Sequence, residues 1–248
     1  MSIIGIIGGS GLDNPDILKD ARDENVRSAY GDLPSPIRRG TIAGHEVCLV
    51  ARHGREHTVP PSQVNYRAII DILKQLGSTA ILSTTAVGSL REKIGRGDLV
   101  VLDQFIDFTR HRAVTFHESF KPHAPIHCPM AEPFDAGLRK ALNAACETLG
   151  IAHHKTGTVI TIEGPRFSTR AESNMFRLFG ADVINMSIAP ECILANEAGI
   201  PYASVAMSTD YDCWKTDEAP VTWDDILAIF NQNARKVTDV LIRSIESM

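Results

Sequence analysis

The chain has 248 residues, 44% of them hydrophobic, which is enough apolar material for one large packed domain and too much for a disordered one. Its formal charge of −5, with Lys and Arg scattered rather than striped, offers no general attraction for nucleic acid or an acidic membrane surface. No apolar run approaches the ~18 residues of a membrane span. The first residues lack the basic and apolar segments of a signal peptide, and the five cysteines form no CxxC pair, so a cytoplasmic chain with reduced thiols is expected.

Ile3-Ile4-Gly5-Ile6-Ile7 reads as a strand that ends in Gly8-Gly9-Ser10-Gly11, a tight loop whose bare backbone and Ser10 hydroxyl suit an anion. A dinucleotide loop is the other reading, but G-x-G-x-x-G fails because Asn14 stands where the third glycine belongs. Residues 12–45 look polar and irregular. Residues 46–51 form a strand that delivers Arg52 and His53, a phosphate-suited guanidinium and an imidazole able to donate from either nitrogen. His53 and His57 are four apart, but Gly54 and Pro60-Pro61 argue against a helix, so no metal site is expected. Residues 62–76 are an amphipathic helix stopped at Gly77, and residues 79–86 a strand leading into Thr84-Thr85-Ala86-Val87-Gly88-Ser89. Residues 98–105 read as one further strand. Residues 106–133, with His111, His117, His123 and His127, form a loop long enough to be a lid or an interface. Helices follow over 134–149, 169–179, 191–198 and 222–247, interleaved with strands over 155–162, 182–187 and 202–210. This alternation predicts a single α/β domain over residues 1–248, a twisted mixed and largely parallel sheet flanked by helices.

The last strand runs into Thr209-Asp210-Tyr211-Asp212-Cys213-Trp214. A lone D-x-D is more often an exposed acidic turn than a site. At the carboxyl edge of a parallel sheet, however, two buried carboxylates need partners rich in N–H groups. Three other strand ends carry small donors or cations: Ser10, Arg52-His53 and Thr85. An anion at one end and a nitrogen heterocycle at the other suggest a nucleoside with inorganic phosphate.

Five motifs stand in one order: Ile6-Ile7-Gly8-Gly9-Ser10-Gly11-Leu12, Ala51-Arg52-His53-Gly54-Arg55, Thr84-Thr85-Ala86-Val87-Gly88-Ser89, Thr161-Ile162-Glu163-Gly164-Pro165-Arg166-Phe167-Ser168 and Thr209-Asp210-Tyr211-Asp212-Cys213-Trp214. Together they resemble the methylthioadenosine phosphorylase family, in the trimeric branch of the purine nucleoside phosphorylases, over residues 3–240. The resemblance implies a phosphorylase-type fold and phosphate-dependent cleavage of a nucleoside to a free purine and a sugar 1-phosphate. It implies a homotrimer with no cofactor, phosphate being a co-substrate. Phosphate would fall to Ser10, Arg52, His53, Thr85, Ala86 (through its N–H) and Ser187. Met186 would lie along the ribose, Phe167 would pack on the base, and Ser168 would border it. Asp210, the catalytic acid, and Asp212 would face the purine N7 and exocyclic amine, with Tyr211 between them. Trp223 and Leu227 would line the pocket for the 5′ substituent, and His127 would reach it from a neighbouring subunit.

The resemblance also orders the substrates. Relatives that act on 6-oxopurines carry Asn where this chain has Asp210, so a 6-aminopurine such as methylthioadenosine is expected. Methylthioinosine, adenosine and inosine stay open as alternatives. Ser10 and Ser187 stand where other members have Thr, and Trp223 where they have a small apolar residue. An oxidoreductase and a non-catalytic nucleoside-binding module remain as readings of other classes.

Overall fold

The structure, a computed structural model, describes residues 2–9, 16–217 and 222–248, and all of these side chains except that of Trp223. Among the described residues, eleven strands and five α-helices follow one another. The strands are β1 (Ile3–Gly8), β2 (Lys19–Glu24), β3 (Ile37–Ile42), β4 (His45–Ala51), β5 (Ser78–Ser89), β6 (Leu99–Val101), β7 (Gln104–Phe108), β8 (His153–His154), β9 (Thr158–Ile162), β10 (Val183–Asn185) and β11 (Tyr202–Asp210). The helices are α1 (Tyr66–Gln75), α2 (Ala136–Thr148), α3 (Arg170–Leu178), α4 (Ile188–Ala198) and α5 (Trp223–Glu246).

All eleven strands join in one mixed sheet whose backbone order is β2-β3-β4-β1-β5-β10-β9-β7, with β11 on the other edge of β5 and β6 and β8 beyond it. At its centre β4, β1, β5 and β11 run parallel, so their carboxyl ends emerge together. The register is explicit: Gly8 lies beside Ala51, Thr85 beside Ala206, and Gly88 beside Asp210.

Side chains of these central strands alternate between two cores, as the two-residue period of a strand requires. Ile7, Ile81 and Ala206 face one core, which α1 and α4 close with Ile69, Leu73, Ile188 and Ala195. Ile4, Ile6, Leu82 and Val205 face the other, which α2 and α5 close with Leu142, Cys146, Phe230 and Leu241. A third, smaller core packs Phe176 of α3 on Ile160, Ile162 and Ile184. The helices begin where the sequence offers acceptors. Asn65 and Asp135 take the N–H groups of Ala68 and Leu138, while Thr169 and Thr222 form capping boxes with Glu172 and Asp225.

Two expectations are corrected. Residues 12–45 are not irregular throughout, for they supply β2 and β3. β2 reads Lys-Asp-Ala-Arg-Asp-Glu and is mostly exposed, so it carries no apolar alternation; antiparallel pairing with β3 alone makes it a strand. Residues 98–105 are not one strand. β6 pairs with β11 and β8, whereas β7 pairs with β9. The chain crosses between these partners at Leu102 and Asp103, whose N–H groups go to Ser204 and Gly157 respectively.

Candidate functional site

A cavity of about 390 Å³ opens at the carboxyl ends of the parallel strands. The end of β4 brings Arg52 and His53 to its wall, β5 brings Thr85, Ala86 and Gly88, and β11 brings Asp210 with Asp212 in the turn after it. The stretch after β9 adds Phe167 and Ser168, and the stretch after β10 adds Met186 and Ser187. The residues named from the sequence therefore converge, with five exceptions. Ser10 and the side chain of Trp223 lie outside the described residues. Tyr211 and Leu227 are not in the wall: Tyr211 packs edge-on against Trp214, and Ile226 lines the cavity where Leu227 was expected. His127 is exposed on the long loop, its ring 5.9 Å from that of Phe120.

Arg52 is 1% exposed, so its charge needs a partner. That partner is Glu191 of α4, itself 0% exposed. Nε and Nη2 of Arg52 both donate to Glu191, and Nη2 also donates to Ser83 Oγ at 2.9 Å and the Thr84 carbonyl at 3.1 Å. Burial opposes the charge on Arg52, but Glu191 overcomes that and holds the guanidinium protonated. Gly9 supplies the room, because a Cβ there would lie 2.3 Å from Nη1. Glu191 also accepts from Tyr202 at 2.8 Å.

His53 is 6% exposed and its Nδ1 lies 2.8 Å from the Val59 carbonyl. Burial, then the neighbouring Arg52, pushes its pKa down to about 3, so the ring is neutral. Thr85 Oγ1 accepts from Asn185 Nδ2 at 3.2 Å, and Asn185 Oδ1 in turn accepts from Thr161 at 2.8 Å and from the Ser187 N–H at 3.4 Å. Asn185 thus ties two of the hydroxyl residues together. Ser187 stands at the start of α4, yet its side chain makes no capping bond there.

At the far end, Asp210 is 6% exposed. Its Oδ1 accepts from Thr209 at 2.7 Å and its Oδ2 from the Asp212 N–H at 2.9 Å. The second bond closes a tight turn on the D-x-D spacing, and Asp212 takes φ 48, a conformation Asp tolerates better than most residues. Burial outweighs both bonds and pushes the Asp210 carboxyl up to about 6. Burial raises Asp212 as well, and its Oδ2 has no partner, like the Oγ of Ser168 across the wall. The turn is pinned by Trp214, whose Nε1 donates to the Ser89 carbonyl at 2.8 Å while Arg177 lies over the ring.

The two ends are set by register. Asp210 pairs with Gly88, three residues beyond Thr85 on β5, which is about 10 Å at 3.3 Å per residue. Cation and hydroxyls at one end and a carboxyl of raised pKa at the other, with apolar Met186 and Phe167 also in the wall, could hold a small anion, a sugar and a heterocycle together. Among the described residues no group of three or more His, Cys, Asp or Glu could hold a metal ion.

Four of the residues that sequence reasoning missed shape the chemistry of the site. Glu191 had a signal, a lone carboxylate inside the apolar run Ile188-Ala189-Pro190-Glu191-Cys192-Ile193-Leu194. Asn185 had none, since only the fold sets it against Thr85. Arg112 had none either: from the long loop its guanidinium donates to Tyr66 Oη and the Met186 carbonyl, both at 2.8 Å, and pairs with Glu163 at 3.0 Å. His57 lines the cavity with its ring 4.5 Å from that of His53.

A sequence model of the Phosphorylase superfamily matches residues 3–246, and the chain belongs to that superfamily. Curated relatives narrow the likeness. An S-methyl-5′-thioadenosine phosphorylase of Xenopus tropicalis is 53% identical over 98% of this chain and 87% of its own length. One from Danio rerio is 51% identical over the same shares, and one from Thermofilum pendens 46% identical over 99% of this chain and 92% of its own. Among solved structures, methylthioadenosine phosphorylase from Schistosoma mansoni in complex with adenine superposes with a TM-score of 0.94 at 39% identity, over 99% of this chain and 91% of that one. A mutant of the adenosine/methylthioadenosine phosphorylase of that organism, in complex with methylthioadenosine, gives 0.92 at 39% identity, over the same shares.

Proposed function

We propose that this chain cleaves S-methyl-5′-thioadenosine with inorganic phosphate, giving adenine and 5-methylthioribose 1-phosphate. One observation carries the reading: the buried carboxyl of Asp210, whose strand partner Gly88 stands about 10 Å along β5 from Thr85, shares one cavity with the buried Arg52 guanidinium and a cluster of hydroxyls. The names of the full-length relatives and of the adenine and methylthioadenosine complexes support it.

The roles follow from the chemistry. Phosphate sits among Ser10, Arg52, His53, Thr85, the Ala86 N–H and Ser187. As the glycosidic bond breaks, positive charge develops on the ribose, and the anion beneath it stabilises that charge. Met186 lies along the sugar, and Phe167 and Ser168 border the base. The departing purine takes a proton at N7 from Asp210, and a general acid so placed contributes about 10²–10⁴-fold. Asp212, whose Oδ2 has no hydrogen-bond partner among the described residues, takes the N–H of a 6-amino group. A 6-oxo group would meet it acceptor to acceptor, at a cost of about 1–3 kcal/mol.

The chain acts as one domain in a cytoplasmic homotrimer and uses no cofactor. Phe120 and Ile126, exposed at 47% and 53% on the long loop beside His127, support an interface there. His127 would meet the neighbour's 5′ pocket, on the side where Ile226 of α5 lines the cavity.

The test is purine release from methylthioadenosine, adenosine, methylthioinosine and inosine, each with and without phosphate. Phosphate-dependent adenine release, fastest from methylthioadenosine, is expected. Faster cleavage of inosine would overturn the reading of the Asp pair, and release indifferent to phosphate would make the protein a hydrolase.

A further inference from the structure

His53 occupies the anion end of the cavity as a neutral ring with one nitrogen already committed. Nδ1 lies 2.8 Å from the carbonyl oxygen of Val59. A carbonyl oxygen has only lone pairs, so Nδ1 must carry the hydrogen of that bond. With no anion bound, burial and the neighbouring cations oppose a second proton on the ring and outweigh the Val59 bond, which favours one. The ring is 6% exposed, Arg52 precedes it in the chain, the His57 ring lies 4.5 Å away, and Arg112 adds a further positive field. The remaining nitrogen, Nε2, is therefore a bare acceptor. Arg52 is committed as well, with Nε and Nη2 both turned to the Glu191 carboxylate, which offsets its charge. An anion with lone pairs on all its oxygens would meet the lone pair of Nε2 head on.

We propose that His53 makes this end of the cavity selective for an oxyanion that bears a hydroxyl, hydrogen phosphate rather than sulfate, by accepting a hydrogen bond from it. The proposal rests on the phosphate reading of the cavity and sharpens it. The P–OH of hydrogen phosphate donates to Nε2. Its other oxygens accept from the surrounding hydroxyls and from Arg52, and one of them stays unprotonated to attack the sugar. A histidine held neutral beside an anion would otherwise waste a cationic contact; as an acceptor it reads the single proton that separates the two dianions.

At about pH 8, above the second ionisation of phosphate, hydrogen phosphate and sulfate have the same charge and nearly the same size. Calorimetric titration of the full-length protein with each is expected to give sulfate binding at least about tenfold weaker, the factor that an unpaired acceptor costs. In His53→Gln, whose amide can turn either N–H or C=O to the ligand, the two affinities should fall within about threefold of each other. Nitrogen NMR of the wild-type imidazole supplies a reading that needs no variant: Nε2 should be unprotonated in the free protein and should stay so with phosphate bound. Sulfate binding as tightly as phosphate in the wild type, or a proton on Nε2, would overturn the inference while leaving phosphorolysis intact. Absence of phosphate binding, with purine release indifferent to phosphate, would overturn both.

Discussion

Burial sets the chemistry of single residues in this cavity, and Asp210 feels it most. Its carboxyl accepts two hydrogen bonds, which alone would lower its pKa, yet it rises to about 6 because desolvation of the charged form costs more. The sign for activity follows. As the pH rises through about 6 the carboxyl loses the proton that the leaving purine needs, so kcat/KM is expected to fall on that side. Asp210→Asn should remove this limb, lower adenine release by about 10²–10⁴-fold, and shift preference toward hypoxanthine nucleosides. A variant with unchanged adenine preference and the same pH profile would contradict the assignment. The Arg52–Glu191 pair poses the opposite problem, two charges both out of water. Removing one partner strands the other, so Glu191→Gln should lower the unfolding free energy by about 3–5 kcal/mol in urea titrations. A loss below about 1 kcal/mol would mean that water reaches Arg52 after all.

Among the elements, β5 matters most, because it meets β1, β10 and β11 and carries both ends of the cavity. Gly88 shows how tightly that strand is fitted. A Cβ there would come within 3.0 Å of Ile184 Cγ2 and 3.1 Å of Asp210 Oδ2. Gly88→Ala should therefore cost about 1–3 kcal/mol of stability from overpacking. By displacing the carboxyl it should also lower kcat/KM about tenfold or more. Full activity at normal KM would show that Asp210 has slack the geometry does not suggest. At this scale the sequence was readable wherever apolar residues repeat: β1, β4, β11 and the helices stand within a few residues of their expected positions. It failed at β2, a polar edge strand made by its partner, and at residues 98–105, where one apolar run is shared between two unrelated neighbours.

For the molecule as a whole, the long loop is the place where a neighbouring copy would matter. His127 stands exposed on the 109–135 stretch near Phe120 and Ile126. Light scattering is expected to give the mass of a trimer, and charge substitutions at Phe120 and Ile126 should break the trimer and raise KM for methylthioadenosine more than for adenosine. A monomer that keeps full activity would refute the shared site. What the sequence determined by itself is the chemistry on offer. Donors at the ends of Ile3–Gly8 and His45–Ala51, hydroxyls in Ser78–Ser89 and a carboxylate pair after Tyr202–Asp210 are legible because strand ends and residue types are local properties. What only the tertiary structure decided is how those groups are charged and aimed. The proton on Asp210, the tautomer of His53, the Glu191 partner of Arg52 and the Asn185 tie between Thr85 and Ser187 all depend on burial and on contacts between residues far apart in the chain. No local pattern encodes desolvation.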